Sequence, residues 1–527
     1  MGVATYAPPA SRVGDELVYP DGRHELAENA DLTRSTLYNA DLAPVRIKDR
    51  TWTTYNYTAL WVGMAHNLPT YGLAAGLVVL GMAWYQAILT IALANIIVLI
   101  PMLLNSHAGT KYGIPFPVFA RASFGVFGAN VAALLRAGVA CGWFGIQTWI
   151  GGEALYTLAG SLLGTGWTNA SSVAGQHWTL WLSFGVFWLL NIAIIVRGMN
   201  AIRRFENWAA PFVLLVAFFL LGWMITQAHG LGPIVKQNGT LGWGGSFWKL
   251  FFPALMAQIA FWSTLSLNMP DFTRFGKSQR AQAIGQTLGL PTTMTVFPLL
   301  AVLITSATVA VYGKAIWDPI ALTAKFSSPI VIVLALFTLA VATLSVNIAA
   351  NVVSPSYDFS NLWPKAISFR LGGLITGVLG ILIQPWRLYA DPHVYIFTWL
   401  GFYGGALGAI AGVLIADYWV IRNTTLKLGD LYREQGEYSY SGGFNFRGVA
   451  ALLIGAVLAV GGAYTAPGTQ GPFPSNGVIP FLYHPVTFYD YSWIVGLVAA
   501  FLSYLALSAL FPAGRVARRT PKAATAT

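Results

Sequence analysis

Residues Ala257 to Phe275 read AQIAFWSTLSLNMPDFTRF. The stretch opens as an apolar helix, then meets Trp262, Ser263, Thr264, Ser266, Asn268 and Pro270 before closing on Asp271 and Arg274. A helix in lipid has no water to satisfy its backbone, so such an interruption is tolerated only where protein buries it or a cavity lines it. The stretch therefore reads as part of a substrate pathway through a membrane.

Composition agrees. Only 9% of the 527 residues are charged and 56% are hydrophobic, whereas soluble domains are roughly 25% charged. This is the balance of a polytopic integral membrane protein. The net charge of +11 then bears on topology rather than on nucleic acid. The single cysteine, Cys141, excludes an intramolecular disulfide. The first ~50 residues are hydrophilic and lack an apolar signal core, which places the amino terminus on the cytoplasmic side.

Stretches long enough to span, about 20 residues each, fall at 56–80, 84–104, 128–163, 178–197, 206–228, 247–270, 284–313, 329–353, 369–386, 394–422, 448–466 and 490–511. These are spans one to twelve, with three and ten long enough to tilt. Lysine and arginine test the order, because cytoplasmic loops are enriched in both. Alternate loops on one side hold fourteen, among them Arg203, Arg204, Arg274, Lys277 and Arg422, while the other side holds five. Both termini fall on the basic side, Arg46, Lys48 and Arg50 before span one and Arg515, Arg518, Arg519 and Lys522 after span twelve.

Transporters often contain inverted repeats whose matching helices are both interrupted. Span one breaks at Gly63, His66, Asn67 and Pro69, and span six at Asn268 and Pro270. An offset of five helices inverts the second copy, which is the five-plus-five arrangement with spans eleven and twelve added. The same offset pairs span three, with Trp143 and Gln147, with span eight, with Ser345, Asn347 and Asn351.

Trp143 and Gln147 stand four apart and share a helix face. A flat indole and a carboxamide that both donates and accepts suit a planar heterocycle bearing ring N–H and C=O groups. Tryptophan is also common here, with twenty in the chain, and many belong in interfacial belts. Asn347 and Asn351 repeat the spacing on span eight, where either a ligand or a neighbouring helix must satisfy them. The ionisable groups in lipid are Arg136, Glu153 and His66, with Asp271 and Asp417 near span ends, where a salt bridge or a helix cap is the plainer role. Glu153 is a candidate proton carrier or a neighbour's ion-pair partner, and spacing does not separate these. The chain has no HExxH, G-x-S-x-G or Walker loop and no Cys/His cluster, so catalysis is not expected.

Several ordered motifs then join. They are Asn39 to Pro44 (NADLAP) with Arg50-Thr51-Trp52, Gly113 to Val118 (GIPFPV) with Arg121 to Gly125 (RASFG), Pro270 to Arg274 (PDFTR), and Ile415 to Trp419 (IADYW). Together, over residues 39–422, they resemble the nucleobase–cation symporter-1 family. The resemblance implies the inverted-repeat fold shared with sodium-coupled amino-acid transporters. In the family's hydantoin permease a planar ring lies between tryptophans of helices three and six, with amides of helices one, three and eight on its polar edge. By motif these roles resemble Trp143, Trp262, Asn67, Gln147 and Asn351, with Asn347 beside them. Asn67 departs, since the permease has glutamine there. The implied sodium site uses Gly63, His66, Ala342 and Ser345, but Val346 stands where a threonine hydroxyl is expected and Thr343 is off the required face. Proton coupling therefore competes with sodium, with Glu153, His66 or Asp271 as carriers.

The expected protein is an all-α secondary transporter of the cytoplasmic membrane, both termini inside, without a cofactor, nucleic acid or obligate protein partner. It imports a planar amide-rich heterocycle by alternating access. Allantoin or another hydantoin-like ureide comes first, since the central helices resemble the allantoin branch, and uracil or another nucleobase second. A channel and a non-transporting sensor are the rivals from other classes. The expected units are a tail (1–54), two repeats (55–228 and 247–422), a loop with spans eleven and twelve (423–511) and a second tail (512–527).

Overall fold

The computed structural model describes residues 11–28, 32–197, 215, 217–326, 328–389, 391–465, 469, 471–483 and 487–512. Arg203, Arg204, the start of span five and the basic carboxy-terminal tail lie outside the described residues. Among the described residues, seven helices are each long and apolar enough to cross a membrane: Trp84–Tyr112, Ala129–Leu163, Trp178–Arg197, Gln279–Tyr312, Pro329–Leu362, Val394–Ile421 and Phe488–Leu510. Spans five, nine and eleven appear as the shorter Ala217–Gln227, Phe369–Leu382 and Phe446–Val460. Spans one and six are each divided. The result is a twelve-span, five-plus-five inverted repeat.

Span one consists of Thr54–Ala65 and Leu68–Val79. The chain leaves helical geometry at His66 (φ −82°, ψ 74°) and Asn67 (φ −139°, ψ 162°). Asn67 closes both raw ends, its Oδ1 accepting from the Thr70 amide at 2.7 Å and its Nδ2 donating to the Met64 carbonyl at 2.6 Å. This is an N-cap with its amide turned back on the preceding helix. Span six runs Gly245–Phe261, turns at Trp262 (φ −101°, ψ 5°), and resumes as Ser263–Asn268 and Pro270–Thr273. The departure thus lies at Trp262, not at Asn268 and Pro270, where Met269 stays helical (φ −52°, ψ −28°). Serine hydroxyls fill the loosened turn, Ser263 donating to the Ala260 carbonyl at 2.8 Å and Ser266 to that of Ser263 at 2.7 Å.

Two spans run further than hydropathy suggests, for one reason. Span two continues to Tyr112 because polar residues after 104 are buried, Asn105 donating to the Ser266 carbonyl at 2.7 Å. Span eight bends at Val352 (φ −113°, ψ −43°) and continues as Val353–Leu362. Its serines bond back to the helix, Ser356 to Val352 and Ser360 to Ser356. Polarity here marks packing against protein rather than exit from lipid.

The amino-terminal segment forms regular structure where it is described. Ser11–Val13, Glu16–Val18 and His24–Leu26 form an antiparallel sheet. Glu16 accepts from the Leu428 amide at 2.6 Å and meets His24 at 2.7 Å. Buried Arg50 donates to the carbonyls of His24, Val45 and Thr110 at 2.6, 3.0 and 3.1 Å. Burial, and then Arg23, lower its pKa to about 9, so it remains charged at neutral pH. Trp52 and Lys277 complete a backbone strap to the end of span six, the Trp52 amide donating to Phe275 and the Lys277 amide to Trp52. These bonds tie the amino-terminal segment to the ends of spans two and six.

Close helix crossings need small residues. Gly145 of span three and Gly380 of span nine face each other so tightly that a Cβ on Gly145 would overlap the Gly380 carbonyl oxygen. Gly145→Val must therefore separate the spans. Overpacking of this kind costs about 1–3 kcal/mol, and the expected result is a lower melting temperature of the purified protein in detergent, read by tryptophan fluorescence.

Candidate functional site

The two breaks expose carbonyls at mid-span, and one helix serves both. Tyr395 and Tyr403 of span ten lie eight residues apart. The Tyr395 hydroxyl donates to the Pro69 carbonyl at 3.2 Å, beside the break of span one, and Tyr403 donates to the Ala260 carbonyl at 3.0 Å, beside the break of span six. Trp143 of span three joins the second bond, its Nε1 donating to the Tyr403 oxygen at 3.1 Å. Its ring is therefore fixed by the same contact that steadies span six.

Trp143 and Trp262 are both buried, but no direct ring contact joins them among the described residues. Phe261 stands between, edge-on to both, with centroids 5.0 Å from Trp143 and 4.9 Å from Trp262. Trp262 also meets Trp61 edge-on at 5.1 Å. The expected pair of facing indoles is here a three-ring cluster, and a planar guest needs Phe261 to move or must use another ring face. Phe261 carried no sequence signal, because one more phenylalanine in an apolar helix is unremarkable.

The amides divide sharply. Asn67 spends both polar groups on its own break, as above. Asn347 is held between helices, its Nδ2 within 3.1–3.2 Å of the Phe144 carbonyl, Thr148 and Asn191. Asn351 donates to Asn347 at 3.0 Å and leaves its carbonyl oxygen uncommitted. Gln147 is different, since its Oε1 is buried without a hydrogen-bond partner. So are the Trp262 indole N–H and both polar atoms of Gln258. Gln258 was legible but unread: it stands four before Trp262, the same amide-and-indole spacing as Trp143 and Gln147 in reverse order. A buried polar group left unpaired costs about 1–3 kcal/mol, and Gln147, Gln258 and Trp262 are among several such residues spread over the described spans.

Comparison with known proteins agrees with this geometry. Residues 44–496 match the family model described as permease for cytosine/purines, uracil, thiamine and allantoin. The chain belongs to this permease family. It is a multi-pass membrane transporter and not an enzyme. It is 41% identical over 488 residues to the allantoin permease of Bacillus subtilis, covering 92% of this chain and 96% of that one. It is also 41% identical over 485 residues to the purine-uracil permease NCS1 of Arabidopsis thaliana, covering 90% and 78%. Among solved structures it is similar to Mhp1, a nucleobase-cation-symport-1 family transporter in a closed conformation with bromovinylhydantoin bound, at TM-score 0.72 and 25% identity, covering 91% of this chain and 98% of that one.

The family's name implies a coupling cation, and the candidate sodium residues of this permease can be tested for fit. The first half of span one, carrying Gly63, packs against span eight, carrying Ala342 and Ser345, with His66 at its end. A hard cation needs oxygen ligands. The Val346 side chain, buried beside Ser345, offers none, and Thr343, whose hydroxyl is buried and unpaired, lies off the Ala342–Ser345–Val346 face. The set has one side-chain hydroxyl fewer than the resemblance implies. The acidic candidates resolve differently. Asp271 accepts from the Phe116 amide at 2.8 Å and so caps the helix Phe116–Phe124. Asp417 accepts from Ser123 and Tyr504 and pairs with Arg422 at 2.8 Å.

Stability separates guest-facing amides from structural ones. In the ligand-free protein, Asn347→Ala should lower the melting temperature, because it removes interhelical bonds worth about 0.5–1.5 kcal/mol each. Gln147→Leu should leave it unchanged or raise it, because it removes an orphan acceptor. Equal losses in both would show that Gln147 is as structural as Asn347.

Proposed function

We propose that this permease imports allantoin or a closely related hydantoin-like ureide. The observation that carries the reading is the set of unpaired buried polar atoms on Gln147, Gln258 and Trp262, flanked by the rings of Trp143 and Phe261. Two carboxamides and an indole N–H match a small ring rich in N–H and C=O groups. Trp143 and Trp262 supply ring faces, Gln147 and Asn351 read the polar edge, and Gln258 joins them. Asn67 and Asn347 then act through the backbone and helix packing they hold. The relative named for allantoin supports the substrate class. A uracil-like base is the second reading, favoured by the equally similar purine-uracil permease.

Trp143, Gln147, Trp262 and Asn351 are all at most 6% exposed, so the guest reaches them only if helices move. The excess of lysine and arginine in alternate loops supports an orientation in the cytoplasmic membrane with the strapped face and both termini inside. Residues 55–228 and 247–422 then act as the two inverted repeats, with 1–54 as the tail, 423–511 as a loop with two added spans and 512–527 as the second tail. Import requires the strap at Trp52, Phe275 and Lys277 to open after the outer side closes. Coupling runs on protons rather than on sodium, because of the missing oxygen at Val346.

In vesicles, labelled allantoin uptake should saturate and be competed more strongly by hydantoins than by cytosine. Trp143→Ala should weaken it about five- to 150-fold, as loss of ring stacking worth about 1–3 kcal/mol predicts. An inward proton gradient should drive uptake where an equal sodium gradient does not. A strict sodium requirement would refute the reading of Val346.

A further inference from the structure

A cavity of about 210 Å³ lies at the end of the molecule away from the strap, among spans six, ten, eleven and twelve. Lys249 of span six and His393 and Phe397 of span ten line it, together with Tyr464 after span eleven and Tyr489 and Asp490 at the start of span twelve. None of Trp143, Gln147, Gln258, Phe261 or Trp262 does, so the cavity is separate from the candidate guest site. Its volume is well above the roughly 10–15 Å³ that admits one water and below the ~300–1,000 Å³ of drug-sized pockets. It suits a small polar group.

The lining carries both signs of charge. Asp490 accepts from the Tyr464 hydroxyl at 3.1 Å, and no ion pair engages it among the described residues. Tyr464 and Tyr489 meet edge-on with centroids 6.2 Å apart, and Phe397 adds a third ring to the wall. Aromatic rings beside a carboxylate are a setting that holds an ammonium. Lys249 is exposed and likewise has no ion pair among the described residues, so it offers charged donors to a phosphate. A plain cation would meet Lys249 and a plain anion would meet Asp490, whereas a ligand bearing both charges satisfies both. Trp248 and Tyr491, the sequence neighbours of Lys249 and Asp490, are exposed. These are the residue types that belt a membrane at headgroup depth.

We propose that this cavity binds a phosphate–ammonium zwitterion, the headgroup of an ethanolamine phospholipid of the bilayer, with its ammonium against Asp490 and the rings and its phosphate at Lys249. An ethanolamine ammonium has N–H groups to donate to the carboxylate, and the acyl chains stay in the surrounding lipid. The cavity adjoins the joint between span ten and the added spans. There the Tyr489 hydroxyl donates to the Phe397 carbonyl at 2.6 Å and Ser492 donates to that of Gly401 at 2.9 Å. Phe397 belongs to the wide π turn Val394–Leu400, which also carries Tyr395. A headgroup seated here braces the helix that ties both broken spans. The inference concerns a lipid and holds whichever heterocycle is carried.

The test uses the purified full chain in detergent, with the melting temperature followed during titration with dihexanoyl phosphatidylethanolamine, dihexanoyl phosphatidylglycerol or glycerophosphoethanolamine. The ethanolamine lipid should raise the melting temperature in a saturating manner. The glycerol lipid has equal chains and no ammonium, and should not. Asp490→Asn can still accept from Tyr464 but loses the charge, and it should need about tenfold more ethanolamine lipid for half of the shift. Lys249→Gln, at an exposed position, should need about two- to fivefold more, and it covers the case in which Asp490→Asn does not fold. A shift with glycerophosphoethanolamine equal to that with the lipid supports the zwitterion site with a free molecule as its source, and a shift with the lipid alone supports the bilayer as the source. Equal shifts from the ethanolamine and glycerol lipids overturn the inference. So does an Asp490→Asn titration, or in its place a Lys249→Gln titration, that matches the wild type.

Discussion

In hydrocarbon every backbone N–H and C=O must find a partner inside the protein, and this structure is arranged around two places where a helix cannot supply them. The repair is shared. Asn67 closes span one locally, and Ser263 and Ser266 tighten span six. Tyr395 and Tyr403 then tie both breaks to span ten, and Trp143 attaches to the second tie. A movement of either broken span is therefore felt by the same helix, which itself widens to π geometry at Val394–Leu400 and Ala416–Ile421. Such wide turns are frequent at functional sites.

The two ends of the bundle are held by different chemistry. On the strapped face the ties are charged and buried. Arg136 and Asp358 pair at 3.3 Å with neither side chain exposed, Arg121 is bonded to Asn361, Leu37 and Leu431, and Arg422 joins Asp417 and Glu437. Such pairs contribute little net stability against apolar substitutes, yet removing one partner costs about 3–5 kcal/mol. They favour one arrangement over others more than they strengthen the fold. The opposite end is held by aromatic packing of Trp317 and Tyr389 near Gly72, and by the capped loop helix at Asp318.

Much of this was legible in the sequence, and the division between what was and was not follows range. The interruptions of spans one and six are local patterns, and both spans are divided in the structure, span six at Trp262 rather than at Asn268 and Pro270. The ordered tail was not legible, because its partners lie far along the chain: Glu16 bonds to Leu428 and Asp15 pairs with Arg433, so a polar segment that looks unstructured alone is satisfied by a distant loop. The ends of spans two and eight were missed for a related reason, since Asn105 and Ser356 are polar yet buried. At the site, composition could not rank the amides. Gln147, Asn347 and Asn351 look alike in sequence, and only the position of Asn191 and Thr148 makes Asn347 a structural tie. Phe261 between the two tryptophans follows from the turn at Trp262, which no spacing rule displays.

On the proposed reading, the unpaired atoms bear on whether the bundle closes without a guest. With Gln147, Gln258 and Trp262 buried and unbonded, this form without a guest carries several costs of about 1–3 kcal/mol each. A guest that bonds three of these atoms relieves about 3–9 kcal/mol by the same measure. Moving a two-state equilibrium from 1:99 to 99:1 takes about 5.5 kcal/mol of differential binding. The relief is of that order, so the guest's bonds are sufficient to decide whether the bundle closes. A ring that fits between the aromatic faces but offers no N–H or C=O to these groups would bind without closing the carrier, and selectivity would then reside in the closing step more than in the affinity of the open one.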